Sequence, residues 1–187
     1  MSFEDIIAKL PKLYYQDDAV VIYNADCREI LPLIPDKSID LVLTDPPYGI
    51  GKQNWDSNEN WVELLKSFGH WLQSQETAII FSSTRYLKET MEYVWLPYRW
   101  QFIAYANNGM IPADIGFSKY TSALIFSNRE KIYCNAQDLR EWSANTTELK
   151  SINHPTPKPT PIISYLIEHF SNVGDLMLDP FLGSGTT

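Results

Sequence analysis

The chain has 187 residues, 44% hydrophobic and 20% charged, a composition that suits a globular core and excludes a disordered tail. Its formal net charge of −8 disfavours a protein that works mainly as a basic nucleic-acid clamp. Two cysteines, Cys27 and Cys134, cannot build a disulfide scaffold and lack metal-ligand spacing. A reducing, cytoplasmic setting is therefore expected, with no metal. No apolar run approaches the ~20 residues of a membrane span, so no membrane partner is expected. The acidic start, Met1 to Asp5, lacks the shape of a signal peptide. The length fits one domain over residues 1–187.

The charge is unevenly spread. Residues 1–98 carry eight cations against fifteen anions, residues 99–158 carry seven against five, and residues 159–187 carry three anions. A polyanion would meet the middle segment best, through Arg99, Lys119, Arg129, Lys131 and Arg140.

Val20 to Tyr23 reads as a short strand, followed by Asn24-Ala25-Asp26 and a helical turn from Cys27 to Leu33. Pro35 to Ser38 is a turn. Ile39 to Thr44 reads as a strand buried on both faces, and it runs into Asp45-Pro46-Pro47-Tyr48. Two prolines forbid further ladder pairing there. Residues 49–60 are polar and read as a loop. Trp61, Leu64, Leu65, Phe68 and Leu72 then recur at helical spacing. Thr77 to Phe81 is a strand and Arg85 to Trp95 an amphipathic helix. Trp100 to Tyr105 and Ser122 to Phe126 read as two strands around a loop holding Asn107-Asn108-Gly109. Residues 127–160 show little periodicity. Pro161 opens a helix with Ile162, Ile163, Leu166, Ile167 and Phe170 on one face, and Gly174 stops it. Asp175 to Leu178 is a last strand, ending in Asp179 to Thr187. Strands alternating with helices predict an α/β sheet with mainly parallel strands.

In open α/β sheets ligands bind beyond the carboxyl ends of the strands. Two such ends carry unusual residues. Asp45-Pro46-Pro47-Tyr48 offers a carboxylate, a carbonyl and an aromatic ring on a stiff backbone. Asp45 and the Pro46 carbonyl could accept the two N–H groups of a planar amine while Tyr48 stacks on its ring. The same four residues also read as an Asp capping a proline turn beside a core tyrosine. The second end, Asp179 to Thr187, is a glycine-rich turn whose Gly183 and Gly185 permit close backbone approach. It lacks the Lys of a phosphate-binding loop and the third glycine of a dinucleotide turn. An ordinary capped turn between strand and helix is the alternative. Between the two ends, His154-Pro155-Thr156-Pro157-Lys158-Pro159 is a rigid extended segment holding one basic group.

In this order the three segments resemble the permuted (beta-group) DNA amino-methyltransferases of N6-adenine and N4-cytosine type. Asn24-Ala25-Asp26-Cys27 is similar to the family's short motif ahead of the catalytic strand. The resemblance implies a Rossmann-like methyltransferase sheet, circularly permuted, with S-adenosyl-L-methionine as cofactor and DNA as substrate. It implies a catalytic Asp45, Pro46 and Tyr48 around the target amine. It further implies cofactor contacts at Asp26, Lys158, Pro159, Asp179, Pro180, Phe181, Gly183, Ser184, Gly185, Thr186 and Thr187. Asp rather than Ser at position 45 leans towards adenine N6, following the family habit. Residues 127–153 then stand as a short irregular segment in the target-recognition position. Because the sequence stops at Thr187, inside the cofactor loop, the family pattern predicts an enzyme truncated at its C-terminus. The C-terminal helix and strand or strands would be missing, with a homo-oligomer or a complementing C-terminal chain as partner. Two rival readings remain at this point. One is an RNA or protein amino-methyltransferase; the other is an inactive remnant that binds nucleic acid or a partner chain.

Overall fold

The computed structural model describes residues 10, 13–47, 58–108, 111–113, 116–130, 135–143, 158–183 and 185–187. A six-stranded sheet organises them, in the order β10-β3-β4-β8-β5-β9. The strands are β3 (Leu41–Thr44), β4 (Thr77–Ser82), β5 (Tyr98–Ala106), β8 (Tyr120–Ser127), β9 (Leu139–Trp142) and β10 (Met177–Leu178). β10, β3 and β4 pair in parallel, β8 runs antiparallel between β4 and β5, and β9 lies parallel to β5. Five of the six strands therefore point one way and β8 alone is reversed, in line with the mainly parallel sheet expected. Two short antiparallel pairs stand beside it, β1 (Tyr15–Gln16) with β2 (Val21–Ile22), and β6 (Ile111–Ala113) with β7 (Gly116–Ser118).

Helices cover both faces. On one face lie α1 (Cys27–Ile30) with a 3₁₀ turn at Leu31–Leu33, and α2 (Asn58–Leu72). α3 (Leu87–Tyr93) packs beside α2. Trp61, Leu65, Phe68 and Leu72 of α2 bury themselves against Val42, Ala78, Ile80, Leu124 and Phe126. The opposite face takes α4 (Thr160–Phe170), whose Ile162, Ile163, Leu166 and Phe170 pack on Leu41, Leu43, Ile79, Phe81 and Ile125. Neighbours along β3 and β4 thus point into different cores, which is why both strands read as unbroken apolar runs.

Several elements differ from their predicted extents. α2 begins at Asn58, so residues 58–60 belong to a helix and not to a loop; residues 49–57 lie outside the described residues. α3 is shorter than the stretch from Arg85 to Trp95. The loop after β5 contains the β6–β7 hairpin. Residues 127–153 are not irregular throughout, because Leu139–Trp142 joins the sheet as β9. Gly174 lies past the helix end in a turn at φ +96°, with Ser171 as the C-cap residue.

One glycine is forced by packing. A Cβ on Gly69, in the last turn of α2, would stand 1.8 Å from the Tyr93 carbonyl oxygen at the end of α3. The carbonyl is backbone and cannot swing away. Gly69→Ala should therefore push α2 and α3 apart and cost about 1–3 kcal/mol, the range for overpacking. Thermal unfolding by circular dichroism checks this; an unchanged or raised Tm would contradict the contact.

Candidate active site

The pairing of β10 with β3 joins segments 136 residues apart, Met177 opposite Leu41 and Leu178 opposite Val42. Because the strands are parallel, their carboxyl ends open at the same edge of the sheet. Asp45-Pro46-Pro47 leaves one end and Asp179-Pro180-Phe181 leaves the other. The Thr44 hydroxyl donates to Asp179 Oδ1 at 2.6 Å and ties the two ends together. The Phe181 N–H donates to the same oxygen at 3.0 Å, so Asp179 also caps its own turn. Phe181 sets its ring edge against Phe68 of α2, 5.3 Å between centres. Gly183 and Gly185 hold φ +56° and +73°, the left-handed region that only glycine enters without strain. A Cβ on Gly185 would meet nothing within 4 Å, so the turn faces open space.

Burial pushes the Asp179 carboxyl up from its ordinary value of 3.8. Hydrogen bonds from Thr44, Thr187 and the Phe181 N–H oppose that rise, and the charge of Asp45 adds to it. Asp45, half-buried, is paired through Oδ2 with the Lys158 ammonium, which arrives from the segment preceding α4. That ammonium also lies 5.4 Å from the centre of the Phe81 ring at the end of β4.

Four sequence segments thus converge on one sheet edge, at Asp45, Phe81, Lys158 and Asp179. Pro46, Pro159, Pro180, Phe181, Gly183, Gly185, Thr186 and Thr187 belong to the same four segments. Tyr48, Ser184 and residues 154–157 lie outside the described residues. Asp26 is engaged locally: it caps α1 through the Arg28 N–H at 2.9 Å and grips the Arg28 guanidinium at 2.5–3.1 Å. Those hydrogen bonds from Arg28 hold its carboxyl below the usual range. Beside it, an open cleft lies against Cys27, Arg28, Leu64, Phe68 and Trp71. Sequence reading missed Phe81 and Thr44, whose spacing within ordinary apolar strands gives no signal of a role.

The same sheet edge receives the end of β5, the start of β8 and the end of β9. Asn107 and Ser143 meet there at 2.7 Å, and Lys119 and Phe117 stand exposed. Of the five cations expected to face phosphate, three make internal contacts. Arg99 donates to the carbonyls of Ser127 and Arg129, Arg129 pairs with Glu76, and Arg140 lies 4.2 Å over the Tyr165 ring. Lys131 lies outside the described residues. Among the described residues no group of His, Cys, Asp and Glu could hold a metal ion, and no helix is long and apolar enough to cross a membrane.

The site thus combines an ion pair, a second, hydrogen-bonded carboxyl, an aromatic ring and an open glycine turn. The chain is similar to known proteins over most of its length. Residues 39–187 match the family model described as DNA methylase. Type II methyltransferase M.HpaI of Haemophilus parainfluenzae is 27% identical over 91% of this chain, which spans 65% of that relative's length. DNA adenine methyltransferase YhdJ of Escherichia coli K12 is 27% identical over 92% of this chain and 74% of its own. The crystal structure of the M1.HpyAVI-SAM complex shares the fold, with a TM-score of 0.60 at 22% identity, covering 88% of this chain and 83% of that one.

The raised pKa of Asp179 has a consequence for stability. Its folded pKa lies above the unfolded 3.8, so the folded protein holds that proton more tightly. The resulting stability is fully present below 3.8 and is lost as pH rises through the folded value. Asp179→Asn keeps an oxygen to accept from Thr44 and Phe181 while removing the buried charge. Its Tm should therefore gain on that of the wild type as pH is raised from about 3 to 7. Parallel Tm curves over that span would mean that Asp179 ionises without cost.

Proposed function

The chain belongs to the DNA methylase family through residues 39–187, and from that premise we propose that it moves a methyl group from S-adenosylmethionine to an exocyclic amino group of a DNA base. Adenine N6 is the proposed acceptor, on the strength of Asp at position 45. The observation that carries the reading is the meeting of Asp45 and Asp179 at the carboxyl ends of two adjacent parallel strands, tied by Thr44. That arrangement supports one motif receiving the amine beside another receiving the cofactor. The order of the motifs along the chain, amine motif first, supports the permuted form of the family.

An exocyclic amine is a poor nucleophile because its lone pair is delocalised into the ring. In the proposed mechanism Asp45 and the Pro46 carbonyl accept its two N–H groups, favour the pyramidal amine and aim the lone pair. Two prolines hold those acceptors on a backbone that cannot relax, so most of the rate comes from positioning. Asp45 also faces the positive charge that develops on nitrogen. A base stacked in a duplex is out of reach, so the target must be flipped out, and Tyr48 is assigned to stack on it. S-adenosylmethionine, when bound, supplies an electrophilic methyl on a sulfonium. Asp179, Phe181 and the turn from Gly183 to Thr187 are assigned to hold it, with Lys158 and Pro159 at the rim. Asp26 is proposed to act there only if its grip on Arg28 is exchanged for a ligand contact.

The roles separate in two mutants. Asp45→Ala should abolish methyl transfer to DNA while leaving S-adenosylmethionine binding within a few-fold of wild type. Labelled-methyl incorporation and calorimetric titration measure the two. Loss of cofactor binding by a folded mutant would make Asp45 chiefly a cofactor ligand. Tyr48→Phe should keep most of the activity, whereas Tyr48→Ala should lose about 1–3 kcal/mol of base stacking. Equal kcat/KM for wild type and Tyr48→Ala would remove the stacking role.

A further inference from the structure

Lys158 is the cation most firmly built into this site. Its side chain is only 16% exposed and that of its partner Asp45 only 26%. The pair joins residues 113 apart in sequence. The fully buried Phe81 ring offers its face to the same ammonium. An anion and a π face from two neighbouring strands therefore fix one ammonium where β3 and β4 end.

Charge explains the arrangement. Asp45 and Asp179 leave adjacent strands, and the charge of Asp45 makes Asp179 harder to ionise. Asp179 answers with burial, a raised pKa and three hydrogen bonds. Asp45 answers with a lysine. A half-buried carboxylate deprived of its cation at such a place is costly and would turn away or recruit another cation. The proposed cofactor carries a sulfonium and an amino group, both positive, beside a single carboxylate, so it is cationic overall. A second function for Lys158 as a direct cofactor ligand would require its ammonium to leave Asp45, with which it is already paired, for the one carboxylate of a ligand that is cationic overall.

We propose that Lys158 is a positioning residue for methyl transfer, acting through Asp45 and not as a holder of the cofactor. By engaging Oδ2 it fixes the rotation of the carboxylate about its Cβ–Cγ bond. That rotation sets the direction from which the target amine is received. The inference rests on the methyltransferase reading and reassigns one residue within it.

The test uses the full-length protein with Lys158→Met, Lys158→Arg, Asp45→Asn and the Asp45→Asn/Lys158→Met double variant. Lys158→Met should lower kcat about 100-fold, the scale expected for a misplaced reacting group. Its calorimetric Kd for S-adenosylmethionine should stay within about threefold of wild type, below half the 1.4 kcal/mol of a tenfold change. Lys158→Arg, which keeps the cation, should recover a large part of kcat. In thermal melts each single charge removal should lower Tm, and the double variant should be no worse than the worse single one. A tenfold weaker cofactor Kd with kcat unchanged at saturation would overturn the proposal and return Lys158 to the cofactor. A raised kcat in Lys158→Met would also overturn it, making the lysine a plug that competes with the target amine. Additive Tm losses would show that the two charges do not act as a pair. If wild type transfers no methyl group to DNA, the functional reading fails; the thermal cycle and the cofactor titration still decide what Lys158 does.

Discussion

Everything at the sheet edge depends on the parallel pairing of β10 with β3. Only two residues of β10 take part, Met177 and Leu178, yet they bring residues 179–187 beside residues 44–47. Parallel strands cannot be joined by a tight turn, so the chain must cross over between them, and here the crossover includes most of the domain. The return is guided by α4. Its apolar stripe of Ile162, Ile163, Leu166 and Phe170 seats on Leu41 and Leu43, the outward neighbours of the same strand that β10 joins. Packing and register are therefore one constraint: a slip of one residue would turn Met177 away from the core of α4 and move Asp179 off Thr44.

That constraint creates an electrostatic problem and the residues around it resolve the problem in two ways. Two carboxylates at neighbouring strand ends, part-buried, repel each other in a medium less polar than water. Asp179 lies deeper, and its proton becomes harder to remove; the hydroxyls of Thr44 and Thr187 and the Phe181 N–H stabilise what charge it keeps. Asp45 sits nearer the surface and takes a full counter-charge from Lys158. Two neighbouring carboxyls thus sit in unlike environments, one buried and hydrogen-bonded, the other ion-paired nearer the surface.

Much of this was readable in the sequence, for physical reasons. β3 and β4 are buried on both faces, so their runs of aliphatic residues carry a strong signal, and helices α2 and α4 repeat their apolar residues at helical spacing. The proline and glycine strings mark where strands stop, which is why the two strand ends stood out. β9 was not legible because Leu139-Arg140-Glu141-Trp142 pairs through backbone bonds to β5 with mostly exposed side chains, leaving no apolar alternation. The β6–β7 hairpin has only three residues per strand and includes Pro112 and Gly116, both poor strand formers. The contact between Lys158 and Asp45 has no local signature at all. Lys158 reads as one basic group in a proline segment, and only the crossover that returns the chain past β4 reveals its partner.

The cations of the middle segment give the same lesson for DNA contact. A net positive count over residues 99–158 treats every cation as available, but side chains spent inside the fold release no phosphate counterions. Arg99 and Arg129 tie β5, β8 and the loop after β8 to one another, with Glu76 closing the set. Arg140 lies over Tyr165 and packs β9 against α4. These three hold the far half of the sheet together, so neutralising them changes stability before it changes affinity. Among the described residues, the sheet edge beside the site presents exposed Lys119, exposed Phe117 and the polar pair of Asn107 and Ser143. Among the described residues, a duplex approaching that edge would meet one exposed lysine and a rim of polar and aromatic groups. Contact of that kind gains little from counterion release and depends on the shape of the nucleic acid and on the bases it exposes.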